Sequence, residues 1–245
     1  MNNKIEELST ILKNSNNIVF FGGAGMSTES GIPDFRSSNG LFNEKLNLTF
    51  TPEQLVSHSF YMRYPEEFFN FYKAKLIYPN AKPNPGHIAL AKLEKIGKIK
   101  AIVTQNIDGL HQTAGSKNVF ELHGSICRNY CVKCHEFYDE NFILESIGVP
   151  TCTKCGGSVK PDVVLYEEGL DDNVIRGAVS AIANADTLII GGTSLVVYPA
   201  AGLINYFRGN NLILINKSET TADKKANLVI RDSIGKVLSS AVELL

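Results

Sequence analysis

Cysteine is absent from almost the entire chain. Of 245 residues five are cysteine, and all five lie between positions 127 and 155. Such clustering argues against a disulfide framework and for a metal site. Long apolar runs are missing as well: none approaches the ~20 residues that a membrane-spanning helix needs. The first seventeen residues, MNNKIEELSTILKNSNN, lack the apolar segment of a secretory signal, and a cytoplasmic location is expected. Neither sign of charge is in excess, since the formal net charge is -1, so there is no bulk attraction to nucleic acid or to an anionic membrane surface. Internal repeats and low-complexity tracts are also lacking.

What remains is an α/β pattern. Ile5, Leu8, Ile11 and Leu12 mark one face of an amphipathic helix. Short apolar runs at Ile18–Phe21, Lys100–Val103, Val119–Leu122, Val163–Leu165, Thr187–Ile190, Leu212–Ile215 and Leu228–Ile230 read as strands. Helical stretches are expected at 59–78, 85–96, 173–183 and 200–207, and a long functional loop at 30–51. Continuous apolar strands alternating with helices predict a doubly wound, Rossmann-like parallel sheet covered on both faces. The cysteine-bearing stretch, about 126–158, interrupts it as a small inserted zinc-ribbon domain.

Cys131-x2-Cys134 and Cys152-x2-Cys155, separated by 17 residues, fit a four-cysteine zinc ribbon in which each pair sits on a tight turn. Four thiolates complete a tetrahedron, so the expected Zn2+ is structural and contributes on the order of 10 kcal/mol to folding its annex. Cys127 is then a spare thiol packed at the annex base, and His135 a solvated residue. His123, just ahead of this cluster, has three possible roles: metal ligand, core histidine at a strand end, or catalytic base. The complete set of sulfurs leaves no place for it on the metal, and Gly124-Ser125 behind it favours an open, ligand-facing turn. His58, His87 and His111 are assigned to packing or to the surface.

Three loops leave strands at what would be the carboxyl edge of the sheet: Gly23-Ala24-Gly25, Gly191-Gly192-Thr193-Ser194 and Asn216. The first lacks the third glycine of a dinucleotide fingerprint, because position 28 is Thr28. Their convergence nevertheless predicts a nucleotide crevice. Thr104-Gln105-Asn106-Ile107-Asp108-Gly109 reads either as a turn or as a further ligand-facing loop.

Taken together, GAGMSTESGIPDFR (23–36), TQNIDGLH (104–111), ELHGS (121–125), the cysteine pairs, KPDVVLYEE (160–168), GGTSLVVYPA (191–200) and the Asn216 loop resemble the sirtuins, NAD-dependent protein deacylases, in that family's order and over nearly the whole chain. The resemblance implies a single catalytic domain. Its large NAD-binding part would cover about 1–50, 85–125 and 159–245, and its small domain the zinc ribbon plus a helical segment at about 51–84. Ala24, Thr28, Phe35 and Arg36 would line the NAD site. Gln105 would hold the ribose beside nicotinamide, Asn106 would order that ribose and its water, and Ile107 and Asp108 would form the nicotinamide pocket. Thr193, Ser194 and Asn216, with Asp232, would bind the adenosine half. Val163, Val164 and Leu165 would pair with an acetyl-lysine peptide by strand addition. His123 and Asn106 would be catalytic, His123 as general base. NAD would be consumed: the acyl oxygen attacks C1′ of the ribose, nicotinamide leaves, and a ribose hydroxyl activated through His123 attacks the imidate. The products would be free lysine, nicotinamide and O-acetyl-ADP-ribose.

The chain departs from the family where Phe-Gly-Glu is replaced by Tyr166-Glu167-Glu168, which sets a carboxylate near the substrate strand and disfavours acidic acyl groups. Tyr72-x-x-Lys75 resembles the Tyr-x-x-Arg of desuccinylating members only in part, because lysine cannot form the bidentate fork of arginine. Thr28 stands where those members tend to have alanine. Deacetylation is therefore the expected activity, with other acyl groups or mono-ADP-ribosyl transfer as alternatives. A silent NAD-sensing scaffold and a DNA-binding ribbon are the rivals of other classes. The ribbon has no basic face, and a monomer is expected.

Overall fold

The computed structural model describes residues 2–35, 40 and 50–245. The expected Arg36 site and most of the 30–51 loop lie outside the described residues. Among those described, nine strands form two sheets. β1 (Ile18–Gly22), β2 (Ile99–Thr104), β3 (Val119–Glu121), β7 (Thr187–Gly191), β8 (Asn211–Ile215) and β9 (Leu228–Ile230) pair in parallel in the order β3-β2-β1-β7-β8-β9. β4 (Gly124–Cys131), β5 (Phe137–Tyr138) and β6 (Val159–Val163) form a small antiparallel sheet.

Alternation along β1 explains why the large sheet is covered twice. Ile18 and Phe20 point into one core with Leu8 and Leu12 of α1 (Asn2–Asn14), Leu90 and Leu93 of α5 (Pro85–Lys95), and Val237 and Leu238 of α9 (Ile234–Glu243). Val19 and Phe21 point into the other, against Ala178 and Ile182 of α8 (Asp172–Asn184) and Leu203 of a 3-10 helix at Ala200–Tyr206. Each such large side chain, fully removed from water, contributes about 1.5–3 kcal/mol. Local signals start the helices: Asp171 accepts from Asn173 N and Val174 N ahead of α8, and Asn84 accepts from Gly86 N and His87 N around Pro85.

A third core belongs to the small sheet. α3 (His58–Arg63) and α4 (Pro65–Lys75) supply Phe60, Tyr61, Phe68, Phe69 and Tyr72, which meet Ile126, Val159 and Val163. α2 (Pro52–Leu55) and α7 (Glu140–Glu145) complete this module, while α6 (Leu110–Thr113) follows β2.

Two elements differ from the sequence reading. The strand expected at Val163–Leu165 lies at Val159–Val163, and it joins the small sheet by pairing with β4 rather than continuing the parallel one. Its apolar run ends in a turn, so composition alone misjudged both its span and its sheet. α9 was not anticipated. Its signal was Ile234, Val237, Leu238 and Ala241, all buried and spaced to share one helical face.

Candidate active site

The strand order reverses between β1 and β7, and this is the point at which a doubly wound sheet opens a crevice at its carboxyl edge. Two loops cross there, backbone on backbone. Gly25 N donates to Gly192 O at 2.8 Å, and Gly192 adopts φ 60°. A Cβ on Gly192 would lie 2.6 Å from Gly25 C and would also strike Met26 N, so neither loop tolerates a side chain at the crossing.

Gln105, first residue after β2, ties three loops together. Its Nε2 donates to Gly22 O at 3.3 Å and to Thr193 Oγ1 at 3.0 Å. Its backbone carbonyl accepts from His123 Nδ1 at 2.9 Å. A carbonyl only accepts, so the His123 proton sits on Nδ1 and Nε2 keeps its lone pair. Burial lowers the His123 pKa, opposed by the Gln105 bond, and the ring is neutral at pH 7.

Asn106 and Asp108 meet through a residue that the sequence reading passed over. Ser27 Oγ accepts from Asn106 Nδ2 at 3.0 Å and donates to Asp108 Oδ2 at 2.6 Å. Ser27 is 1% exposed. The signal was there, a serine inside the glycine-rich loop, but only the fold brings it under Asn106. Burial raises the Asp108 pKa, against the hydrogen bonds from Ser27 and Leu110 N that favour its charged form.

The remaining expected residues lie around this centre. Ala24 is in the 3-10 turn after β1, and Thr28 Oγ1 donates to Gly25 O at 3.0 Å. Phe35 is half-buried at the end of the described loop. Ile107 is half-buried, and its carbonyl accepts from Ile126 N at 2.9 Å. Thr193 is buried, Ser194 is exposed, and Asn216 leaves β8 with Nδ2 donating to Ser218 O. Asp232 lies two residues ahead of α9 and accepts from Ser233 N and Lys236 Nζ at 2.8 Å each.

The four expected cysteines come together, with their Sγ atoms within 4.8 Å of one another. Cys131–Cys155 and Cys134–Cys152 are 3.4 and 3.6 Å apart. Bonds of ~2.3 Å to a tetrahedral zinc place sulfurs ~3.8 Å apart, so the cluster fits Zn2+ closed by thiolates. Tyr138 Oη–H donates to Cys152 Sγ at 3.1 Å. Cys127 stays outside this set as expected, yet it is exposed rather than packed. Its neighbours explain this, because its side chain leaves the small sheet towards Gly109 and Glu140. Tyr72 is sealed in the core of the module, and its hydroxyl has no partner among the described residues.

A family model described as the Sir2 family matches residues 23–199. An NAD-dependent protein deacetylase of Clostridium perfringens is 82% identical over 244 residues, covering 99% of this chain and all of that protein. One from Staphylococcus aureus (strain Mu50) is 47% identical over 240 residues, covering 98% of each chain. Among solved structures, a Sir2 protein with a p53 peptide and NAD+ aligns at TM-score 0.85 and 39% identity over 98% of both chains. Another, holding a deacetylated p53 peptide and 3′-O-acetyl ADP-ribose, aligns at TM-score 0.89 and 39% identity over 98% of both.

Proposed function

This chain belongs to the Sir2 family, and from that premise we infer that it is an NAD-dependent protein deacetylase whose general base is His123. NAD and an acetyl-lysine polypeptide are the two substrates. The acetyl group passes to ADP-ribose, and nicotinamide and free lysine are released. One observation carries the assignment of the base: His123 Nδ1–H is spent on the Gln105 carbonyl, which leaves Nε2 as a neutral acceptor at the sheet edge.

The other roles follow from position and chemistry. Gln105 holds His123 with its backbone and Thr193 with its side chain, so base and nucleotide loop share one support. Asn106 and Asp108, braced by Ser27, face the nicotinamide end. Ala24, Thr28, Phe35 and Ile107 line the first half of the NAD site, and Thr193, Ser194, Asn216 and Asp232 the adenosine half. The four cysteines hold a structural zinc that keeps the small sheet folded and takes no part in the reaction. Val163, Val164 and Leu165 offer the edge for the peptide. In support, Val164 O and Glu167 N have no hydrogen-bond partner among the described residues. We take the protein to work as a monomer in the cytoplasm, without nucleic acid or membrane. A net charge of -1 gives no bulk attraction to nucleic acid or to an anionic membrane surface.

The test follows nicotinamide and O-acetyl-ADP-ribose with an acetyl-lysine peptide, for the wild type and His123→Ala. Both products should require the peptide and fall by roughly 10²–10⁴-fold in the variant, which still binds NAD. The acid limb of wild-type kcat/KM should lie below that of a free imidazole, because burial lowers the His123 pKa. Nicotinamide released without peptide, with ADP-ribose attached to protein, would refute the reading.

A further inference from the structure

The turn directly after the expected docking edge has an unusual residue in its tightest position. Glu168 N donates to Leu165 O at 3.0 Å, closing a four-residue turn over Leu165–Glu168. Its third residue, Glu167, has φ 78°, a value that this kind of turn needs and that favours glycine. A glutamate here starts at a disadvantage. Its carboxylate is not loose, however: one oxygen accepts from Ser59 N at 2.8 Å, and both lie 2.7 Å from Ser59 Oγ. Ser59 lies in the first turn of α3, where backbone N–H groups lack partners within the helix.

Neighbouring bonds lead to the same junction. Tyr166 N donates to Val56 O and His58 N to Tyr166 O, at 3.0 and 2.9 Å. Glu168 accepts from His58 Nδ1 at 2.8 Å, Lys160 Nζ at 3.2 Å and Leu165 N at 2.9 Å. The far side of the edge is fixed by Val164 N donating to His123 O at 3.0 Å. One short segment is thus clamped between the base-bearing loop and α3, while Val164 O and Glu167 N have no hydrogen-bond partner among the described residues.

We propose that Glu167 is a positioning residue for substrate: its carboxylate, fastened to Ser59, holds the Leu165–Glu168 turn so that the Val163–Leu165 edge and the Glu167 amide are set to receive an acyl-lysine strand. The proposal rests on the reading of Val163–Leu165 as the docking edge. The tether replaces what glycine would give by conformational freedom with a link to the helical module. Peptide affinity then depends on α3 as well as on the edge itself. The side chain is drawn towards Ser59, so its charge is held at the rim of the edge.

Glu167→Ala keeps the unfavourable turn and loses the tether, Glu167→Gly loses the tether but relaxes the turn, and Glu167→Gln keeps an acceptor for Ser59 N. Peptide KM should rise about tenfold in Glu167→Ala and about threefold in Glu167→Gly, and stay within twofold of wild type in Glu167→Gln. The effect should fall on KM for the peptide and spare KM for NAD. Ser59→Ala should repeat part of it, and in Glu167→Ala it should add little. Unchanged peptide KM in Glu167→Ala overturns the proposal, as does a parallel rise for NAD and peptide with a lower Tm, which marks a merely structural role. A series of acetyl peptides N-methylated at single backbone amides, run on the wild type, separates the two readings. If methylation raises KM at a flanking position but Glu167→Ala does not, the docking edge stands and Glu167 has no part in it. If no methylation matters, the docking edge itself fails, and the positioning role with it.

Discussion

Between α5 and α6 two histidines are buried against each other, and they make acid stability the sharpest prediction. His87 on α5 and His111 on α6 are 0% and 1% exposed, with ring centroids 4.8 Å apart and Phe20 beside His111. His87 Nδ1 accepts from Asn84 N, while His87 Nε2 and both His111 nitrogens have no partner among the described residues. Burial lowers His87 to about 4; burial and then the neighbouring His87 lower His111 to about 3. The unfolded chain binds protons on both rings as pH falls through ~6.5, and the folded protein does not. Their stabilisation is therefore complete above ~6.5 and is lost as pH falls. By pH 5 each ring costs about 2 kcal/mol, together ~4 kcal/mol out of the 5–15 typical of a folded domain. Urea unfolding of the wild type and His111→Leu, measured between pH 7.5 and 5, checks this. The variant should be no less stable at pH 7.5, since it buries no unpaired nitrogen. Below pH 6.5 the two curves should differ in slope by one proton, about 1.4 kcal/mol per pH unit. Acid sensitivity of the zinc ribbon is common to both proteins and cancels. Equal slopes, or a His111 ring that titrates near 6.5 in the folded protein by NMR, would refute the argument.

Two further outcomes test the loop crossing and the cysteine cluster. Gly192→Ala should abolish NAD binding by calorimetry and lower Tm, because its Cβ would meet Gly25 C at 2.6 Å in a left-handed backbone position; NAD affinity within twofold of wild type would contradict the loop crossing. Tyr138→Phe keeps the ring packed on Phe142, 4.1 Å away between centroids, and removes the phenol's hydrogen bonds to Cys152 Sγ, from Thr153 N and with Thr153 Oγ1. Zinc should then pass to a chromogenic chelator several times faster, with unchanged secondary structure until the metal is lost; an unchanged rate would show that the phenol does not stabilise the thiolate.

The sequence by itself determined a good deal. Apolar runs such as Ile18–Phe21 and Thr187–Ile190 are too continuous for a half-exposed sheet, and parallel strands covered on both faces are what the structure has. The cysteine spacing determined the cluster, because two tight turns each fix a pair of sulfurs locally. Local order, however, does not say which distant groups meet. Ser27 reads as an ordinary loop serine until β1 and β2 are paired in register and its hydroxyl lies between Asn106 and Asp108. The tautomer of His123 depends on a carbonyl 18 positions earlier in the chain. Val159–Val163 reads Val-Lys-Pro-Asp-Val, a weak strand signal in itself, and only its antiparallel pairing with β4 places it in the small sheet. Glu167 looks unsuited to its turn until Ser59, 108 residues away, supplies the bonds that hold it there. Periodicity and spacing are encoded within a few residues, whereas proton positions, turn strain and hydrogen-bond partners are fixed by contacts that exist only once the chain has closed on itself.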